Sequence, residues 1–209
     1  MLIRPHDKGV TPDGTLDEAR WRGFVQSQGF GHLVASGRDR DLPVVVPTQF
    51  LLEEDKVVLH LARPNPIFEP LVENPRCVLS VAGDWAYIRG AWKAIGEEDP
   101  RWGIPTTYYG AVQLCCTATI VDEPENVAAI LARQLGSLEP DGDYVDPAEQ
   151  VSSLRAIRAI ELAVDDVRAK FKYGGNVDDE HRAHVAARLL ERDDPGDRAA
   201  ASHMKTSES

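Results

Sequence analysis

From Ala111 to Val121 the chain alternates with a period of two. Val112, Leu114, Cys116, Ala118 and Ile120 fall on one side, and Gln113, Cys115, Thr117 and Thr119 on the other. Successive side chains of a strand point to opposite faces, so this stretch reads as a strand with one face in a core. Shorter β-rich segments precede it at Phe30 to Ala35, Val44 to Leu52 and Lys56 to Ala62, parted by charged turns such as Arg38-Asp39-Arg40-Asp41 and Glu53-Glu54-Asp55. A parallel crossover needs a dozen residues or more, so segments this closely spaced form an antiparallel meander. The fold class that follows is α+β, built around an antiparallel barrel or curled sheet with flanking helices.

Helix signals lie around these strands. Thr15-Leu16-Asp17-Glu18 has the pattern of a capping box and predicts a helix from Leu16 to about Gln28. Asn65 with Pro66 predicts a short helix through Glu73, ended by Asn74-Pro75. Cys77 to Ala82 and Trp85 to Gly90 read as a hairpin turning at Gly83-Asp84. Asp122 is placed to cap a helix whose buried stripe is Val127, Ile130, Leu131, Leu135 and Leu138. Beyond it come a helical stretch from Pro147 to about Arg155, a strand from Ala159 to Arg168, and a helix from Asp178 to Arg192 with Val185, Leu189 and Leu190 inward. Residues 1–192 are expected to form a single domain, and the small, polar stretch 193–209 a disordered tail.

Composition narrows the function. Lys and Arg total 23 against 34 Asp and Glu, for a formal net charge of −11. So acidic a chain repels a phosphate backbone unless a basic patch dominates locally, and no useful Lys/Arg run is present; nucleic acid is not an expected partner. No apolar run approaches the ~20 residues of a membrane-spanning helix. The start, Met1-Leu2-Ile3-Arg4-Pro5-His6-Asp7-Lys8, lacks the apolar core of a secretory signal, so the expectation is a cytoplasmic protein without a membrane partner. Cys77, Cys115 and Cys116 have no metal-ligand spacing and read as reduced thiols acting as small hydrophobes. Dinucleotide, NTP, zinc-protease and serine-hydrolase motifs are absent.

Several side chains remain as candidates. His60 shares a strand face with Val58 and Ala62, opposite Val57, Leu59 and Leu61; it is either a hydrogen-bonded core or interface residue or a ligand turned toward a cofactor. His32 reads as a core or interface residue, His181 and His184 as a solvated helix face, and His6 and His203 as parts of mobile ends. Trp85, Tyr87 and Arg89 share a face, followed by Trp92, Lys93, Trp102 and Ile104 to Tyr109. This is either aromatic packing with an ordinary loop or a surface suited to a planar, anionic cofactor, rings supplying stacking area and cations holding carboxylates or phosphates. Lys170-Phe171-Lys172-Tyr173-Gly174-Gly175-Asn176 is either a strand-to-helix connection or a turn whose glycines let a ligand approach closely.

Taken in order, His60-Leu61-Ala62-Arg63-Pro64-Asn65-Pro66, Trp85-Ala86-Tyr87-Ile88, Ile104-Pro105-Thr106-Thr107-Tyr108-Tyr109 and Lys170 to Asn176 resemble the PaiB-type family of FMN-binding negative transcriptional regulators, from about Phe30 to Leu190. That resemblance implies a split β-barrel homodimer with the cofactor between subunits. The family's usual pattern is H-x-A-R-A-N-P, a serine-rich stretch with W-Y, V-P-T-W-N-Y and W-K-L-S-Q-N. Here Thr107-Tyr108 replaces Trp-Asn, the Trp-Tyr stretch reads Ala91-Trp92-Lys93, and the last turn reads Lys172-Tyr173-Gly174-Gly175-Asn176.

This departure is similar to the heme-dependent piperazate synthases, a bacterial branch of the same fold that uses heme b in place of flavin. The similarity implies conversion of N5-hydroxy-L-ornithine, a small hydroxylamine amino acid, to L-piperazic acid, closing an N–N bond with loss of water. It makes His60 the favoured iron ligand. Arg63, Asn65, Arg89 and Tyr173 become candidate cofactor contacts, and Lys172, Tyr108, Tyr109 and Lys170 candidate proton partners or substrate anchors. The rival expectations are a PaiB-like protein with FMN as cofactor, acting as regulator or flavin reductase, and a non-catalytic heme-binding storage or sensor module.

Overall fold

Alternating burial builds seven strands, joined edge to edge in the order β2-β1-β5-β6-β7-β4-β3. They are β1 (Phe30–Ala35), β2 (Val44–Gln49), β3 (Leu51–Leu52), β4 (Lys56–Ala62), β5 (Arg76–Ile88), β6 (Thr106–Val121) and β7 (Ile157–Lys172). The helices are α1 (Glu18–Gln28), α2 (Phe68–Glu73), α3 (Pro124–Leu138), α4 (Asp179–Arg192) and α5 (Asp197–Ser202). A computed structural model describes residues 16–94, 97, 99–150 and 154–204. The chain divides into two units: unit 1 is Met1–Trp21, Ala82–Ala111 and Ala169–Ser209, and unit 2 is Arg22–Val81 and Val112–Arg168. None of the described helices is long and apolar enough to cross a membrane.

Unit 2 holds β1 to β4 and the adjoining parts of β5, β6 and β7. β1 runs antiparallel to β2 and β5, and β4 antiparallel to β3 and β7 with His60 opposite Ala159. β2 and β3 stand at opposite ends of the strand order, yet only Phe50 separates them in the chain, so the sheet curls round. Pro47 sits in β2, an end strand of that order, where a missing N–H is tolerated. Gly31 lets β1 approach β5: a Cβ there would lie 2.8 Å from the Ser80 carbonyl oxygen. Val58 and Ala159 pack with Val121, Val127, Ala128, Ile130 and Leu154, seating α3 on the β4 face that carries His60. Fully burying each such aliphatic side chain contributes about 1.5–3 kcal/mol.

The bounds of β1 and β4 agree with the sequence reading, and β6 confirms the alternation from Ala111 but begins five residues earlier, at Thr106. Other expectations are corrected. Thr15 lies outside the described residues; Asp17 Oδ1 instead accepts the Arg20 N–H at 2.9 Å, and α1 starts at Glu18. The stretch Val44 to Leu52 is interrupted at Phe50. Asn65 accepts the Ile67 N–H at 3.0 Å, closing a turn that precedes α2. The Asp122 carboxylate does not cap α3 but receives two arginines, and Leu138 is exposed. His32 lies on the exposed face of β1 and so is not part of the core. Within the expected 147–155 helix, Pro147–Glu149 forms a helical turn and Leu154 is helical, its N–H donating to the Gln150 carbonyl at 3.3 Å, while residues 151–153 lie outside the described set.

In unit 1 the expected hairpin at Gly83-Asp84 is absent, because β5 continues through it. Asp84 takes a left-handed φ of 49°, an irregularity within a strand rather than a reversal. The expected disordered tail is folded through Met204. Arg192 pairs with Asp197 through Nε at 2.8 Å and Nη2 at 2.5 Å, Asp197 is 1% exposed, and Ala200, Ala201 and Met204 are buried. His203 is likewise held, its Nε2 2.7 Å from Asp84 Oδ2 and its ring stacked on Tyr173 at 4.5 Å. Asp178 caps α4, its Oδ1 accepting the His181 N–H at 2.7 Å.

Candidate functional site

His60 projects from β4 toward α3, where its Nδ1 lies 2.7 Å from Gln134 Oε1. Gln134 is 4% exposed. A carbonyl oxygen can only accept, so Nδ1 is the donor in this contact, and in the neutral imidazole Nε2 then keeps a lone pair. An imidazole oriented this way by a buried acceptor has the form of a metal-ligating histidine with its supporting partner. The sequence reading missed Gln134, although a polar residue four positions after Ile130 on an otherwise apolar stripe was the available signal.

Arg63 and Asn65 are engaged locally in unit 2. Arg63 donates Nε to the Arg155 carbonyl at 2.9 Å, Nη1 to Asp122 Oδ1 at 3.0 Å and Nη2 to the Ile157 carbonyl at 3.3 Å. Arg158 binds the same carboxylate through Nε at 2.7 Å and Nη2 at 2.8 Å. Arg158 first, and Arg63 after it, hold the Asp122 carboxyl below its ordinary range. With three nitrogens already donating, Arg63 braces the end of β4.

The other candidates lie in unit 1. Lys172 Nζ donates to Thr106 Oγ1 at 2.5 Å, and Lys93 Nζ to Tyr108 Oη at 3.3 Å. Lys170 stands 5.4 Å from the Tyr109 ring centre, and Arg89 5.5 Å from that of Trp92. Tyr173 is 3% exposed and donates its hydroxyl to the Asp84 carbonyl at 3.0 Å; burial pushes its pKa well above the tyrosine range. Gly174 has φ +80°, and a Cβ there would lie 2.8 Å from Tyr108 Oη, so the close approach this glycine permits is to that hydroxyl. Trp85, Tyr87, Trp102 and Ile104 are exposed. The structure thus gathers His60, Arg63 and Asn65 in unit 2, and Arg89, Tyr108, Tyr109, Lys170, Lys172 and Tyr173 in unit 1.

His181 corrects the sequence reading. His184 is exposed as expected, but His181 aligns with buried Val185 and Leu189 on the inner stripe of α4, and its Nε2 is buried without a described hydrogen-bond partner. Burial, then Lys93, lower its proton affinity. Burial, then Lys172, do the same to Lys93. All three cysteines are free, and burial pushes the Cys77 and Cys116 thiols up to about 12, leaving them unreactive. Among the described residues no cluster of three or more His, Cys, Asp or Glu side chains could hold a metal ion, so a metal at His60 would need a further ligand such as a porphyrin.

Residues 14–166 match the family described as "Putative FMN-binding domain"; the match ends before Lys170 to Asn176. The chain is 24% identical to the protease synthase and sporulation protein PAI 2 of Bacillus subtilis (strain 168), over 91% of this chain and 92% of that one. Its fold is similar to the FAD and heme binding protein from Mycobacterium smegmatis, with a TM-score of 0.57 and 19% identity over 79% of this chain and 76% of the other. It is similar in the same degree, TM-score 0.57 and 19% identity, to the flavocytochrome Anf3 from Azotobacter vinelandii, over 82% of this chain and 79% of that one. The α+β sheet with flanking helices is therefore the split-barrel architecture of flavin-binding relatives. Because the family match spans most of the chain, the protein belongs to the FMN-binding domain family.

Proposed function

We propose that this protein is a heme-binding enzyme that converts N5-hydroxy-L-ornithine to L-piperazic acid. The observation that carries the reading is the His60–Gln134 pair: with Nδ1 engaged by the amide, His60 would hold heme iron through Nε2. The Mycobacterium smegmatis relative, named for binding both FAD and heme, supports a porphyrin in this fold. When bound, the iron would act as a Lewis acid that weakens the N–O bond of a hydroxylamine. Arg63 is committed to Asp122 and two carbonyls, so a propionate would need another cation.

The reaction balances without an oxidant or reductant. The α-nitrogen bonds to N5, the N5–O bond breaks, and the hydroxyl leaves as water with a proton from the attacking amine. That amine must be neutral to attack, so a side chain has to take its ammonium proton. Lys170, Lys172, Tyr108 and Tyr109 are the candidates for that work or for anchoring the substrate. Holding both nitrogens of one tethered substrate in near-attack geometry supplies much of the remaining advantage. The proposal includes a homodimer, in which the exposed Trp85, Tyr87, Trp102 and Ile104 would find apolar cover.

Incubating the heme-loaded protein with N5-hydroxy-L-ornithine under anaerobic conditions, with no reductant, tests the activity. Piperazic acid should accumulate. Heme retention without product would leave a heme-binding module. FMN is the second reading, favoured by the family match itself; flavin retained through purification would establish it.

A further inference from the structure

In a chain with formal charge −11, unit 1 gathers Lys93, Lys172 and His181 from three different segments, and no described carboxylate forms an ion pair with any of them. Lys93 follows the helical turn Gly90–Trp92, Lys172 ends β7, and His181 sits in the first turn of α4. Lys93 and Lys172 donate to Tyr108 and Thr106, two residues apart and so on one face of β6, and, after burial, Lys93 in turn lowers the proton affinity of His181. Asp178, which caps the His181 backbone N–H, offsets part of this by raising the proton affinity of His181, and Asp179 pairs with Arg182. Like charges gathered in a partly buried place are unfavourable unless an anion compensates them. The buried His181 Nε2 without a described partner is the second sign that a group is meant to sit there.

We propose that Lys93, Lys172 and His181, with the hydroxyls of Thr106 and Tyr108, form an oxyanion site that takes the carboxylate of the amino-acid substrate. The site stands on its own geometry; its assignment to a carboxylate rests on the proposed function. Two ammonium groups supply charge and several donors. Thr106, accepting from Lys172, keeps its own hydroxyl proton to donate, and His181 can present Nε2–H. Lys93 entered the sequence reading only as part of the aromatic-basic surface, and His181 only as part of a solvated helix face.

Calorimetric titration of the full chain with L-ornithine, with putrescine, which is ornithine without its carboxyl group, and with inorganic phosphate separates the possibilities. L-Ornithine should bind and putrescine should not, and Lys93→Gln and Lys172→Gln should each weaken ornithine binding about tenfold or more. Thermal melts of both variants check that they are folded, and competition by phosphate on the unaltered chain gives a reading independent of them. Equal binding of ornithine and putrescine, or ornithine binding unaffected by both folded variants, would overturn the site. Phosphate binding that needs Lys93, with no ornithine binding, would overturn the carboxylate assignment. Cluster-dependent ornithine binding in a protein that does not retain heme would support the oxyanion site while the cofactor reading fails.

Discussion

At the scale of single residues, the proposed function rests on one imidazole and the amide that orients it. Strand alternation placed His60 opposite Val57 and Leu59, but its partner lies 74 residues away on α3, a distance across which local patterns say nothing. His181 shows the complementary limit. Paired with His184 at a spacing of three it reads as a solvated face; aligned with Val185 and Leu189 it falls on the buried stripe. His60→Ala should abolish heme retention without loss of fold, because the ring is half-buried rather than part of the packed core. Gln134→Leu keeps the apolar packing of α3 but removes the acceptor for Nδ1–H, and should weaken heme binding about 10–100-fold. Heme titrations with circular dichroism as the control for folding measure both. A Gln134→Leu protein with unaltered heme affinity would remove the orienting role.

At the scale of elements, legibility depended on whether a segment's signal was its own. β1 and β4 carry short β-rich runs bounded by charged turns, and their limits were readable. β5 was cut in two by a turn signal at Gly83-Asp84 that the sheet overrides, and β7 extends four residues past Arg168, beyond the charged run Asp165-Asp166-Val167-Arg168 that broke its apolar pattern. The segment 193–204 looked disordered by composition, yet one buried ion pair and a run of alanines fold it. Asp197→Ala leaves Arg192 only the exposed Asp194 carboxylate at 3.1 Å and the Tyr87 carbonyl at 2.9 Å and should cost about 1–3 kcal/mol, read as a lowered midpoint in urea unfolding. A second clamp is pH-dependent. Glu73, at the end of α2, accepts from Arg40 Nε at 2.9 Å and from the Arg38 N–H at 2.9 Å, and Arg40 first, then Arg38, lower its pKa from 4.5 to about 2. A depressed folded pKa means the stabilisation is fully present above about pH 4.5 and is lost as pH falls toward about 2. Glu73→Gln should therefore be less stable than the unaltered protein at pH 7, and the gap should close across that window. A gap independent of pH would contradict the charge-based account.

For the whole molecule, the α+β class followed from closely spaced strands, and membership of the FMN-binding domain family fits the curled sheet that the strand order demands. The family match includes Lys93, Thr106 and Tyr108 and stops before Lys172 and His181, so the proposed oxyanion site straddles its end. Which cofactor the inherited scaffold holds decides between the two functional readings. The most direct measurement is the absorption spectrum of the full chain purified after expression with a heme precursor, beside that of His60→Ala. The account predicts an intense Soret band for the unaltered protein, shifted by N5-hydroxy-L-ornithine and lost in the variant. A flavin spectrum, or a Soret band that survives replacement of His60, would contradict it.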